Sequence, residues 1–378
     1  FYEKCLSLLS SDGVSSLITS NKWMRAGYGA STREYFYKNA DVLRIIDLGA
    51  GRFESATVDV NIIFYSKTKE KYIRGERSFD GVSYSGNLKE LKSAKFNTVV
   101  SDVSKEWVIM NDLERSIFKK ISKHKALKDW DIDINAGIKT GYNEAFIIDE
   151  NTKNKLIQKD INSKFLIKPM LKGRNILKYK CNFHNLYIIA TLPALNLNIN
   201  DYPAIKNYLK SFGKRLEQSG EKGCRKKTNN KWFETQDSIV YYNNFQKPKI
   251  MFNKASKINA FYLDNEGKYY GDVTTYILSS NNNLKYLLSI LNSHMFYYAY
   301  NKYYAGGGIE GELTLFTLEL FPIPEVNSKT KNKMVKLVDK IIELKKQNEN
   351  TSDLEDEIDK IVYSLYGLND EEIKIIEG

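Results

Sequence analysis

The run Ile45-Ile46-Asp47-Leu48-Gly49-Ala50-Gly51 constrains the fold more than any other stretch of this chain. The apolar residues from Val42 to Leu48 read as a buried strand, and the glycines that follow supply a turn. The next strand-forming run begins at Thr57 and continues to Tyr65. Only Arg52 to Ala56 lie between the two. A parallel neighbour would need a crossover of about a dozen residues, so the connection closes as a hairpin and the strands are antiparallel. Upstream, Phe1 to Leu9 has helical spacing and stops at Ser11-Asp12-Gly13. Val14 to Thr19 reads as a short buried strand, and Ser31 to Asn39 as a helix with Arg33 and Glu34 outward. Together these predict the end of an α/β sheet.

The same glycine turn superficially matches the one that holds S-adenosylmethionine. That turn opens a helix and leads into a crossover. Here the crossover is absent and the third glycine is missing, so donor binding is not expected at this turn. Residues 68–110 are polar and rich in Ser and Lys, which predicts a linker with some strand; a helix follows over 111–128. From about 130 to 280 the pattern is mostly β, with turns at Gly137, Gly141, Gly173, Asn243-Asn244 and Asn265-Glu266-Gly267. Asp264 to Lys268 offers Asp, Glu and Lys together, but Tyr262-Leu263 and Tyr269-Tyr270 on either side favour a hairpin turn over a nuclease centre. Asn283 is placed to cap a helix running to about Tyr304, broken by Gly306-Gly307-Gly308. Phe321-Pro322-Ile323-Pro324 ends the globular part. Helices over Lys331–Gln347 and Leu354–Tyr366 follow, with Gly367 as C-cap.

Charge is unevenly spread. The net charge is +11. The segment from Glu349 onward carries ten acidic and two basic residues, which leaves +19 on residues 1–348. So basic a body points to a polyanionic partner. A membrane is not expected, since no run of about 18 apolar residues exists. Cys5, Cys181 and Cys224, with His124, His184 and His294, lie far apart and show no zinc-ligand spacing, so no metal is expected. Isolated thiols fit a reducing, cytoplasmic setting. The 26 Tyr and 18 Phe suit a large wet interface, although an AT-rich genome produces the same enrichment.

The stretch Gly137-Ile138-Lys139-Thr140-Gly141-Tyr142-Asn143-Glu144-Ala145-Phe146-Ile147-Ile148-Asp149 resembles the entry to the target-recognition domain of type IIG restriction–modification methylases. Ile167 to Ile176, with Lys168-Pro169 and Lys172-Gly173-Arg174-Asn175, is similar to the next landmark. Lys247-Pro248-Lys249-Ile250, Leu287 to Ser293 and Phe321 to Pro324 follow in the family's order, so the resemblance spans roughly residues 107–325. Gly13 to Met24 is similar to the segment after the catalytic Asn-Pro-Pro-Tyr strand. Phe53-Glu54-Ser55-Ala56-Thr57-Val58-Asp59 is similar to the turn between the last two sheet strands. The resemblance implies an adenine-specific DNA methyltransferase with a TaqI-like C-terminal specificity domain. Neither the Asn-Pro-Pro-Tyr motif nor a donor motif is present, and the chain starts at Phe1. The expectation is therefore the C-terminal part of such an enzyme, its N-terminal methyltransferase half missing, and inactive alone. The expected architecture is an α/β remnant of a Rossmann-like methyltransferase sheet (1–105), a mixed α+β target-recognition domain (106–325) and a C-terminal helical segment (326–378). S-adenosylmethionine is implied for the parent enzyme and no cofactor for this part. Family nuclease activity, where present, lies nearer the N-terminus.

Methylating an adenine amino group requires the base to leave the duplex, and the extruded base needs a flat partner. The resemblance places that ring at Phe53, in a glycine turn with small Ser55 and Ala56 behind it; packing on the sheet is the competing reading. Trp23 is a second aromatic near a strand end, better suited to the core. Double-stranded DNA is the expected partner, read by polar groups above a basic surface. Ile205 to Lys231 holds nine Lys or Arg against two Glu. Arg225, Lys226 and Lys227 in its Gly/Asn-rich loop either grip phosphates or form a solvated charge run. Lys139, Thr140, Tyr142 and Asn143 sit between two glycines, and Lys172 and Arg174 belong to a similar loop. Lys254 and Lys257 flank a polar loop after a strand. Of the tyrosines 297, 298, 300, 303 and 304, not all fit one buried helix face, and some are candidates for DNA contact. A rival reading is a stand-alone specificity subunit docking on a separate methylase. It has no need of the sheet remnant in residues 1–67. A third, a polyanion binder with no link to methylation, leaves the ordered landmarks unexplained.

Overall fold

The computed structural model describes residues 1–49, 51–53, 58–68, 77–84, 86–101, 106–254, 260–281, 283–305 and 313–378. It divides into two compact units, neither continuous in sequence. The first comprises Phe1–Lys123, Ala299–Glu310 and Gly367–Gly378; the second comprises His124–Tyr298 and Gly311–Tyr366.

In the first unit the chain runs α1 (Tyr2–Leu8), β1 (Val14–Ser20), α2 (Ala30–Asn39), β2 (Ala40–Gly49), β3 (Val60–Lys67), β4 (Arg77–Ser83), β5 (Asn97–Ser101) and α3 (Asp112–Ile121). The predicted hairpin is present: β2 and β3 pair antiparallel, Ile45 opposite Ile63 and Ile46 opposite Ile62. The sheet order is β1-β3-β2-β4-β5. Gly49 adopts φ +64, the left-handed backbone a turn here requires. Side chains alternate across the sheet. Ile45, Ile63, Tyr65, Phe79 and Val99 meet Trp23, Phe36 and Trp107 on one face, and Ile46, Leu48, Val60 and Val82 gather on the other.

Three expectations are corrected here. Over 68–110 the expected strand is present as β4 and β5, and these described residues are part of the sheet rather than a linker, because β4 pairs in parallel with β2 and β5 continues the sheet. The polar composition arises because both strands lie toward one side of the sheet, where alternate residues stay wet. The helix over 111–128 ends at Ile121, and Lys125–Ala126 is strand. Arg33 is not outward. Its guanidinium is buried and donates to the carbonyls of Trp23 (2.8 Å) and Ala26 (2.9 Å). Trp23 lies in the 3₁₀ segment Lys22–Met24 and Ala26 precedes the next one, Gly27–Gly29, so the guanidinium ties the two short turns together.

The second unit holds two four-stranded sheets. One is antiparallel throughout, in the order Phe261–Asp264, Lys249–Asn253, Thr275–Ser279, Asp133–Ala136. The other runs Tyr270–Gly271, Ile167–Leu171, Leu186–Ile189, Ile147–Asp149, with the first pair parallel. Ile188 and Met170 pack with Met251, Ile277 and Phe245, while Tyr187 and Ile189 join Phe146, Ile205 and Leu209 in a second cluster. The second sheet is thus buried on both faces, which explains its continuous apolar runs. Residues 130–280 are less purely β than predicted, since Glu150–Lys159 and Pro203–Lys210 are helical. Asn265-Glu266-Gly267 is a turn but not a hairpin, because the strands on either side belong to different sheets. Asn283 is the N-cap residue of the helix Leu284–Leu291, its carbonyl accepting Leu287 N at 2.8 Å, but its side-chain oxygen accepts from Lys331 Nζ at 2.6 Å rather than from the helix. Residues 306–308 lie outside the described ones. The two trailing helices are Ser328–Lys346 and Ser352–Tyr366, and Gly367 takes φ +68. A further helix, Asp370–Glu377, belongs to the first unit; its buried Glu372 accepts from Ser116 Oγ (2.7 Å) and Lys120 Nζ (2.7 Å).

The turn between the two sheets is set by a buried ion pair. Lys249 Nζ donates to Asp264 at 2.5 Å and to the Phe245 carbonyl at 2.7 Å. Asp264 also accepts the amides of Lys268 (3.1 Å) and Tyr269 (2.7 Å). Removing one partner of a buried pair strands the other charge. Asp264→Ala is expected to cost about 3–5 kcal/mol in urea unfolding, and Asp264→Asn, which keeps an acceptor, to fall between it and wild type.

Candidate nucleic-acid interface

The segment Ala136–Gly141 leaves its sheet strand with its backbone groups still needing partners, and two loops meet it. On one side Gly137 N donates to Thr275 O (2.9 Å) and Ile138 N to Gly271 O (2.7 Å). On the other, Gln236 N donates to Lys139 O (3.1 Å) and Tyr241 Oη to Ala136 O (3.1 Å). Gly137 is required, since a Cβ there would sit 1.9 Å from the Asp272 carbonyl oxygen.

The Gly271–Thr275 turn is the hub of this face. Asp272 Oδ1 accepts from Thr274 N (3.0 Å) and Thr274 Oγ1 (2.5 Å), an Asx turn that fixes its shape. Thr274 Oγ1 in turn accepts Gly173 N at 2.9 Å, and Thr274 O accepts Lys254 N at 2.8 Å. A Cβ on Gly173 would meet Asn253 Oδ1 at 2.5 Å, so this loop also needs its glycine. The structure therefore gathers the loops of Lys139, Tyr142 and Asn143, of Lys172 and Arg174, and of Lys254 around one turn. Lys139, Asn143 and Arg174 are exposed; Tyr142, Lys172 and Lys254 are half-buried. Tyr142 Oη accepts from Arg215 at 3.0 Å and bonds Glu144. Sequence reasoning missed Asp272, Val273 and Thr274. The only local signal was an Asp two residues before a Thr, and Val273 stands 47% exposed.

Two predicted contacts are withdrawn from this surface. Thr140 is buried, and its hydroxyl is spent on Asn143 Oδ1 at 2.6 Å. Arg225 is buried as well. Its guanidinium makes five hydrogen bonds of 2.7–3.1 Å to the carbonyls of Leu216, Thr140, Glu234 and Trp232. It also lies 5.2 Å over the Phe146 ring. Burial pushes its pKa down to about 10, which leaves it charged at neutral pH. Arg225 thus pins the basic loop to the Ala136–Gly141 segment and has no donor left for a phosphate, whereas Lys226 and Lys227 beside it remain exposed. Lys257 lies outside the described residues.

Phe53 belongs to the first unit. It follows the Gly49 and Gly51 turn, both glycines with positive φ, and its ring is 45% exposed. Trp23 is core, 5.4 Å from Phe36 and 5.3 Å from Trp107. In the tyrosine-rich run, Tyr300 and Tyr303 are buried within a π-helical turn over Tyr300–Tyr304, while Tyr297 is exposed. Burial raises the Tyr304 phenol to about 12. Among the described residues no group of His, Cys, Asp or Glu is arranged to hold a metal. No described helix is long and apolar enough to cross a membrane.

A family model described as a TaqI-like C-terminal specificity domain matches residues 168–323, and one described as an Eco57I restriction-modification methylase matches residues 1–53. The type II methyltransferase M.BstVI of Geobacillus stearothermophilus is 24% identical, over 100% of this chain and 68% of that protein. The type II methyltransferase M.MjaIV of Methanocaldococcus jannaschii is 30% identical, over 65% of this chain and 82% of that protein. Among solved structures, the Type IIL restriction-modification enzyme MmeI in complex with DNA is similar in fold. Its TM-score is 0.60 at 12% identity, covering 97% of this chain and 49% of that one. The chain thus spans about half the length of that enzyme.

The Arg225 geometry separates two kinds of basic residue. Arg225→Ala leaves buried carbonyls without donors, at about 1–3 kcal/mol each, and is expected to lower stability by at least ~3 kcal/mol in denaturant unfolding. Arg225→Lys should restore little of this, since an ammonium cannot fan out to four carbonyls. Lys226→Ala and Lys227→Ala should stay within about 0.5 kcal/mol of wild type.

Proposed function

Because the chain belongs to the type II methyltransferase family of restriction–modification enzymes, we propose that it is the DNA-reading portion of an adenine-specific methyltransferase. The reading rests on one observation above others: three segments, two of them distant in sequence, converge on the Gly271–Thr275 turn, through Gly137 and Ile138, through Leu171 and Gly173, and through Lys254. A fold gathers glycine-backed polar loops and exposed cations in this way when the backbone itself must come close to a ligand. Lys139, Lys172, Arg174, Lys226, Lys227 and Lys254 supply phosphate contacts, and Tyr142 and Asn143 supply polar groups for base edges.

In the first unit, the proposal takes β1 to β3 as the end of a Rossmann-like methyltransferase sheet. β1 forms one border of that sheet, and Val14 and Ile18 on it stay exposed. A bare sheet border with apolar side chains is a surface that further chain covers. We assign that role to the half that carries the donor-binding and catalytic motifs, which would hold S-adenosylmethionine and supply its methyl group. Phe53 then stacks on the adenine once it leaves the duplex. A stand-alone specificity subunit has no use for such a sheet.

Binding of duplex DNA should weaken steeply with salt, since each neutralised phosphate releases counterions. Replacing Lys226 and Lys227 with Ala should flatten the logarithmic salt slope by up to about two contacts; an unchanged slope removes this loop from the interface. In the complete enzyme, Phe53→Ala should lower methylation while leaving duplex affinity intact, because an unflipped base never meets the ring. The loss of base–aromatic stacking is roughly 1–3 kcal/mol, and Phe53→Trp should largely restore activity where Phe53→Leu does not. A fluorescent adenine analogue at the target position reports extrusion directly. Unaltered extrusion and turnover in Phe53→Ala would reduce the ring to packing.

A further inference from the structure

The loop from Gln236 to Tyr242 contains a backbone conformation that a β-branched residue avoids. Ile239 has φ +51, in the left-handed region, where the two branches on its Cβ crowd the backbone. Its side chain is nevertheless buried beside Phe245, Met251 and Tyr270. Bonds on both sides hold it there. Ala194 N donates to Ser238 O (3.2 Å), Tyr242 N to Ile239 O (3.2 Å) and Tyr241 Oη to Ala136 O (3.1 Å). Such a conformation persists only where the surroundings over-determine it, and these sites cluster where the strain serves a purpose. The visible result is the next residue. Val240 is 76% exposed, more than any other large apolar side chain described in this unit.

The position of Val240 makes the exposure informative. Gln236 and Tyr241, on either side of it, bond Lys139 and Ala136, so the loop runs along the segment whose other edge carries the Gly271–Thr275 turn. An isopropyl group is thus held out in water at the margin of a face lined by Lys139, Lys172 and Arg174, where the other exposed valine, Val273, stands 47% exposed against 76% for Val240. A duplex offers one apolar group on its base edges, the C5-methyl of thymine in the major groove.

We propose that Val240 is a specificity-determining residue that reads the C5-methyl of a thymine, Ile239 holding it in place. The proposal rests on the DNA-reading function argued above. It adds which residue carries apolar readout and which base it selects.

Selection from a randomised duplex library with the full 378-residue chain first identifies the preferred site. Each thymine of that site is then replaced in turn by uracil, which lacks only the methyl. The wild-type chain should lose affinity about fourfold at one position, the factor for burying one methyl group. Val240→Ala should bind thymine and uracil equally there and keep the other preferences. Val240→Thr, which retains one methyl, should keep part of the discrimination. Because Val240 is exposed, these variants should unfold like wild type, and circular dichroism checks that they do. The same uracil penalties in Val240→Ala as in wild type overturn the proposal while leaving DNA reading intact. A loss of affinity in Val240→Ala that is equal for thymine and uracil duplexes, with no methyl effect in wild type, overturns it in favour of a wedge or a packing contact. If wild type enriches no sequence at all, the DNA-reading function itself fails.

Discussion

Carbonyls that turn away from water need donors, and in the second unit Arg225 meets four of them with one side chain. The segment around Thr140 and the irregular stretch from Leu216 to Trp232 have no sheet or helix to satisfy them at these points. Without a planar fork of five N–H groups, the two would have to open to solvent. The polar surface above them, Lys226 and Lys227 on one side and Lys139 on the other, is therefore only as well defined as this buried cation. The Lys249–Asp264 pair does the equivalent for the turn that carries the chain from one sheet to the other. In both places a charge stands in for regular secondary structure, and in both it is drawn from a sequence that reads as surface.

That substitution explains what could be read in advance and what could not. The β2–β3 hairpin followed from chain length alone, since the residues between Gly51 and Thr57 leave no room for a crossover. The helix end at Gly367 followed from local backbone rules, but Phe321–Pro324 does not end the globular part, because Pro322–Ile323 pairs with Lys125–Ala126 and the helices after it belong to the same unit. Arg33 and Arg225 did not, because an arginine on a helix or in a polar loop looks identical whether its partners are water, phosphate or backbone carbonyls of other segments. Nor did β4 and β5, whose mixed composition reflects a partly wet position in the sheet.

Much of the site was legible as separate loops, because Gly137, Gly141 and Gly173 mark close backbone approach wherever they occur. Their meeting point was not. The two-residue strand Tyr270–Gly271 is too short to show any periodicity, and it matters because it pairs with Met170 and Leu171, about a hundred residues earlier in the chain. Asp264 to Lys268 was legible as a turn, yet its role as a link between two sheets depends on strand partners that no local pattern reveals.

The threading of the chain through its two units has a consequence for how the protein is made. The second unit draws on Gly311–Tyr366 as well as on His124–Tyr298, and the first draws on Gly367–Gly378. Leu313 N bonds Lys254 O, Ile323 pairs with Lys125, and Glu372 meets Ser116 and Lys120. Domains usually fold in order as they leave the ribosome. Here the first unit takes in residues 367–378, which follow the second unit in the chain, so its sheet spends the synthesis of the second unit with part of its own packing still to come.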